Sequence, residues 1–80
     1  MISVKVKIDR RDNKEVFSAL LDYGIIIRAY KEHYSTMFQH GTSTFWLDFK
    51  SEEEMFNILA ACNIACGGHG VAILKQKERK

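Results

Sequence analysis

Three groups of residues have types and spacing that could do chemistry. Cys62-x-x-x-Cys66-x-x-His69 places three zinc-capable ligands within eight residues. Its spacing fits no usual zinc knuckle, and a fourth ligand would have to come from His33 or His40. Cys62 and Cys66 also share a helical stripe with Met55 and Leu59, where a thiol serves as a small core side chain. Core packing is therefore the expected role; Cys62, Cys66 and His69 remain the minor metal candidates, with no cofactor expected. The second group is cationic: Lys5, Lys7, Arg10 and Arg11 at the start of the chain, Lys75, Lys77, Arg79 and Lys80 at its end. Such clusters either keep a sheet edge soluble or track an anionic partner. The third is the single tryptophan, Trp46, which suits stacking or interface contact. No Ser/His/Asp or Cys/His set is spaced for nucleophilic catalysis, and Asp9 and Asp12 read as helix caps, so no enzyme is expected.

The elements that must position these groups follow from periodicity. Ile2, Val4, Val6 and Ile8 alternate with Ser3, Lys5 and Lys7, which predicts a half-buried strand. Asp12 to Glu15 has capping-box spacing, and Val16, Phe17, Leu20 and Leu21 then share one helical face up to a stop at Gly24. Ile25 to Tyr30 reads as the second strand, with Ile25, Ile27 and Ala29 inward and Arg28 and Tyr30 outward. Residues 31–42 read as a hairpin arm or ordered loop, with a turn at His40-Gly41-Thr42. Ser43 to Phe49 alternates again, sending Phe45, Leu47 and Phe49 inward and Thr44, Trp46 and Asp48 outward. Ser51 to Glu54 is a full capping box ahead of a helix lined by Met55, Phe56, Leu59, Cys62 and Cys66. Gly67-Gly68 ends that helix, Val71 to Leu74 makes a last strand, and Lys75 to Lys80 forms a polar tail.

Strand, helix, strand, strand, helix, strand describes two split βαβ units. The expected fold is α+β: a ferredoxin-like βαββαβ sandwich with an antiparallel sheet of order 4-1-3-2 and both helices on one face. Eighty residues hold one such domain over 1–80 and little else. Two cysteines exclude a disulfide-dense secreted scaffold, and lysines interrupt the N-terminal strand where a signal peptide needs a continuous apolar run. A soluble, cytoplasmic protein is expected, complete in itself and without a membrane segment. The formal charge of +2 is too mild to require a nucleic-acid partner.

With both helices on one side, the outward residues form an open face carrying Lys5, Lys7, Arg28, Tyr30, Thr44 and Trp46. These six are the candidate binding residues. Trp46-Leu-Asp-Phe-Lys-Ser-Glu-Glu-Glu54 resembles the third strand and second-helix start of the RNA-recognition motif, and Leu20-Leu-Asp-Tyr-Gly-Ile-Ile26 is similar to that family's passage from first helix to second strand. The resemblance implies a base-stacking role for Trp46, with Leu47 and Phe49 in the core. The family's second stacking position on strand three falls on Thr44, and its strand-one aromatic falls among Ser3, Lys5 and Lys7. In size and fold the chain also resembles small inhibitor proteins of phages and mobile elements, such as anti-CRISPR proteins. The expected function is a small regulatory or inhibitory protein that works by protein–protein contact, as a homodimer or with another protein. Single-stranded RNA or DNA binding through Trp46 is the alternative.

Overall fold

In the computed structural model, residues 1–35, 38–67 and 70–78 are described. The elements are β1 (Ile2–Asp9), a 3-10 turn (Arg10–Asp12), α1 (Asn13–Asp22), β2 (Arg28–Ser35), β3 (Phe38–Phe49), α2 (Glu52–Ala65) and β4 (Ala72–Glu78). All pairings in the four-stranded sheet are antiparallel, and its order is β2-β3-β1-β4, the expected 4-1-3-2 read from the opposite edge. This is an α+β architecture compatible with a ferredoxin-like sandwich.

Alternation sorts the sheet into two faces. Val4, Val6 and Ile8 of β1 and Phe45, Leu47 and Phe49 of β3 are buried against Val16 and Leu20 of α1 and Met55, Ile58, Leu59, Cys62 and Cys66 of α2. Both helices therefore share one core on one side of the sheet. Two apolar residues expected in that core face water instead: Leu21 is 76% exposed and Phe56 is 56% exposed, while Ile58 takes the inward position on α2. The buried stripe of α1 is only as wide as Val16 and Leu20 require, with Phe17 half-buried at its margin.

The helix starts differ in their chemistry. Ser51 accepts the Glu54 N–H at 3.2 Å, and Glu52, Glu53 and Glu54 lie at the positive end of α2. At α1 the expected Asp12 cap bond is absent; Asp9 instead accepts the Arg11 N–H at 2.9 Å and caps the 3-10 turn that leads into the helix. The 3-10 turn moves the cap three residues upstream of the position the spacing suggests.

β2 and β4 depart furthest from expectation. Ile25 and Ile27 are not in the ladder; they pack half-buried against the core as the chain climbs from α1, and β2 begins at Arg28. The arm expected over 31–42 is strand on either side of Thr36 and Met37, which lie outside the described residues: Lys31, Glu32 and His33 pair with Thr44, Ser43 and Thr42, so residues 40–42 lie within β3 rather than in a turn. Gly41 accommodates this with φ +71° at an irregularity in the ladder between His33 and Ser35. At the other end β4 runs on through Lys75, Gln76, Lys77 and Glu78, which the alternation of its first residues does not reveal. Gly68, His69, Arg79 and Lys80 lie outside the described residues. No helix among the described residues is long and apolar enough to cross a membrane.

Candidate binding face

Trp46 stands near the middle of the open face. Its cross-strand neighbours are Lys5 on β1 and Arg28 on β2, so β3 carries it between two cations. The ring is half-buried, and the Lys77 ammonium from β4 sits over it at 5.6 Å from the centroid. That contact is a cation–π interaction reaching across β1. Beside it Arg28 makes a bidentate pair with Asp48, Nε to Oδ2 at 2.8 Å and Nη2 to Oδ1 at 2.9 Å. Ser3, buried beneath, donates to Asp48 Oδ1 at 2.5 Å. Asp48 thus holds the guanidinium in one orientation, and Ser3 holds Asp48. Ser3, Arg28, Trp46 and Lys77 line a shallow depression of ≈ 290 Å³.

Cations dominate the rest of this face. Lys5 lies opposite Lys75, Lys7 opposite Thr44 and Ala72, and Lys31 opposite Thr44 from the other side. None of Lys5, Lys7, Lys31, Lys75 and Lys77 forms a salt bridge with a described residue. The carboxylates on the same face are committed: Asp48 to Arg28 and Asp9 to Arg11 at 3.0 Å. Like charges directly across a ladder repel, so Lys5 and Lys75 raise the energy of the free face.

Four of the six predicted binding residues come together here: Trp46, Arg28, Lys5 and Lys7. Thr44 is on the face but only 5% exposed, and its hydroxyl lies 3.2 Å from His33 Nε2, so it offers no contact surface. Tyr30 is on the opposite side of the sheet. Between Arg28↔Trp46 and Lys31↔Thr44 the ladder gains a residue on β2, at Ala29 and Tyr30. Ala29 takes φ +52°, and this bulge reverses the alternation that would have sent Tyr30 outward. The Tyr30 ring instead stacks on Phe45 at 6.5 Å and meets Phe17 edge-on at 5.7 Å. Its hydroxyl receives Asn13 Nδ2 at 2.7 Å and donates to Glu32 Oε1 at 2.9 Å. Tyr34 donates to the other Glu32 oxygen and receives Arg10, whose guanidinium lies over the Tyr34 ring. Hydrogen bonds from Tyr34 and then Tyr30 hold the Glu32 carboxyl below its ordinary range, and the same contact raises the Tyr34 phenol. Arg10 and Arg11 are engaged by Tyr34, Glu32 and Asp9, so neither joins the lysines.

Sequence reasoning misses Lys77 and Ser3 as parts of the site. Lys77 falls in the expected tail because the period-two pattern breaks at Leu74, where β4 bulges against β1. Ser3 gives no signal, since a small outward serine on a strand normally faces water.

Cys62 and Cys66 are free, buried thiols on the core side of α2. Burial pushes the Cys62 thiol up to about 11, and the neighbouring Cys66 adds to the shift. A raised thiol is a poor metal ligand and a poor nucleophile. No group of three potential metal ligands occurs among the described residues, and His69 lies outside them. No protein-family model matches the chain, and the search of curated proteins finds no relative for it. By its own geometry the face presents one aromatic ring, capped by Lys77, among lysines that make no salt bridge with a described residue.

Proposed function

We propose that this chain is a small non-enzymatic regulatory or inhibitory protein, ferredoxin-like in fold, that acts by protein–protein contact through its open sheet face. The surface it covers is acidic. The observation that carries this reading is the platform at Trp46: a half-buried ring capped by Lys77, beside an Arg28 already oriented by Asp48 and Ser3. Tryptophan and arginine held rigid before binding are the residues that dominate protein interfaces, because little side-chain freedom is then lost on contact. The surrounding lysines supply steering and select an acidic partner. In scale and fold this resembles the small inhibitor proteins of phages and mobile elements.

A second reading, single-stranded nucleic acid on the same face, is favoured by the same five lysines. The single ring, with a cation already over it, offers less stacking surface than the two or three bases such sheets bind. Trp46 fluorescence titrated with single-stranded RNA and DNA at low and high salt separates the readings. The expected result is no quenching at low salt, together with a protein ligand from cell extract that the wild type retains and a folded Trp46→Ala variant does not. Salt-sensitive quenching by an oligonucleotide would overturn the protein reading in favour of the second. Equal retention by both proteins would remove the face from the interaction.

A further inference from the structure

β4 is an edge strand with no described strand on its far side, and all seven of its residues are exposed. Its helix-side residue Ile73, opposite buried Val6, is 47% exposed. Leu74, the extra residue of the bulge against β1, is 44% exposed. α2 reaches the lead-in to the strand, where Asn63 Oδ1 accepts the Val71 N–H at 2.7 Å. Phe56, two helical turns before Asn63 on the same side of α2, is 56% exposed. An edge of this kind leaves a row of backbone N–H and C=O groups without strand partners. Its two sides differ chemically: Lys75 and Lys77, with Lys5 behind Lys75, point to the open face, while Ile73, Gln76 and Glu78, opposite Val6, Val4 and Ile2, point to the helix side.

We infer that an extended segment of a partner protein joins this edge as a fifth strand, placing acidic residues beside Lys75 and Lys77 and apolar residues beside Ile73. The inference rests on the reading of the chain as a protein-binding module and adds where and how the partner enters. Lys77 belongs both to this edge and to the Trp46 platform, so a strand added here continues directly onto the open face. Charge argues against a second copy of β4 as the occupant. A twofold pairing of two β4 strands keeps their open faces on one side. In every such register centred between Lys75 and Lys77 it sets lysine against lysine. A polynucleotide would match the lysines but would leave Ile73 and Leu74 against water.

The test is fluorescence anisotropy of a labelled peptide of about eight residues alternating glutamate and valine, titrated with the whole chain. Two further peptides carry N-methyl groups on alternate residues, one in each phase. Strand addition is expected to abolish binding of one methylated peptide and spare the other, because only alternate N–H groups face the edge. The Lys75→Glu/Lys77→Glu variant is expected to bind the parent peptide about tenfold more weakly, and Lys14→Glu, a charge reversal at an exposed position of α1, to bind it unchanged. Equal binding of both methylated peptides would mean contact through side chains alone and would overturn strand addition. So would a complete lack of peptide binding, or concentration-dependent dimers in sedimentation that Lys75→Glu strengthens. Strand addition is read from the phase of N-methylation and the platform from retention of a protein ligand by Trp46→Ala, so failure of either leaves the other testable.

Discussion

Trp46, Arg28 and Lys77 come from three different strands, and the arginine among them is held by two further residues, Asp48 and Ser3. Asp48 converts a flexible arginine into a fixed one, and the Ser3 hydroxyl fills part of the carboxylate's remaining acceptor capacity. The pair is partly exposed, so its worth lies in orientation rather than stability; Asp48→Asn is expected to cost under about 1 kcal/mol. Binding of the proposed acidic partner should fall much further, and a variant that loses stability but keeps the partner would contradict the platform. On the core side, the thiols give a pH signature. The Cys62 thiol sits at about 11 when folded, above its ordinary 9.0. Its contribution is therefore fully present below pH 9.0 and is lost as pH rises through the folded value. Urea unfolding should show stability declining across that window, by at most about 1.4 kcal/mol per pH unit from this group. Cys62→Ala, less stable throughout, should lack this share of the slope. Equal slopes in the two proteins would mean the thiol is not shielded.

At the level of elements, the two ladder irregularities in the β2–β3 hairpin decide what each face carries. Gly41 is the clearest case. Its φ of +71° suits glycine, and a Cβ there would press into the His33 carbonyl oxygen across the ladder. Gly41→Ala is expected to destabilise by about 2 kcal/mol or more, read as a lowered midpoint in denaturant. A neutral substitution would mean that the hairpin shifts register easily. These positions also mark where the sequence stops being informative. The alternation of β1 and of residues 43–49 is legible because buried strands repeat every two residues, and Ser51 announces α2 because its cap bond is local. Ala29 looks like any strand alanine; only the pairing of Arg28 with Trp46 and Lys31 with Thr44 forces it to a positive φ and turns Tyr30 toward Phe17. Leu74 hides the length of β4 in the same way. The aromatic and half of the cations on the face can be read from spacing, whereas the bulges that choose among them depend on partners distant in sequence.

For the molecule as a whole, charge is separated by side. The glutamates at the start of α2 gather on the helix layer, and the unpaired lysines gather on the open sheet. A net charge of +2 conceals this polarity. The arrangement works against the free protein, because Lys5 faces Lys75 across the ladder with no acid between them. Lys75→Glu is therefore expected to stabilise the isolated chain by about 0.5 kcal/mol while weakening binding of the proposed acidic partner. Thermal unfolding and partner titration measured on the same variant check both signs. A variant that gained stability without losing affinity would place the partner elsewhere.

The central position of β1 also bears on the order of events during synthesis. Of the four strands β1 is made first, yet one of its two neighbours, β4, is made after the other three. Until then a nascent chain can assemble only the three strands β2, β3 and β1, with β1 as a temporary edge. Non-local pairs of this kind close late. Through that interval Lys5 and Lys7 alternate along the exposed rim of β1, where they discourage neighbouring nascent chains from pairing with it. The lysines proposed above for recognition thus have an earlier use as guards against aggregation on the polysome.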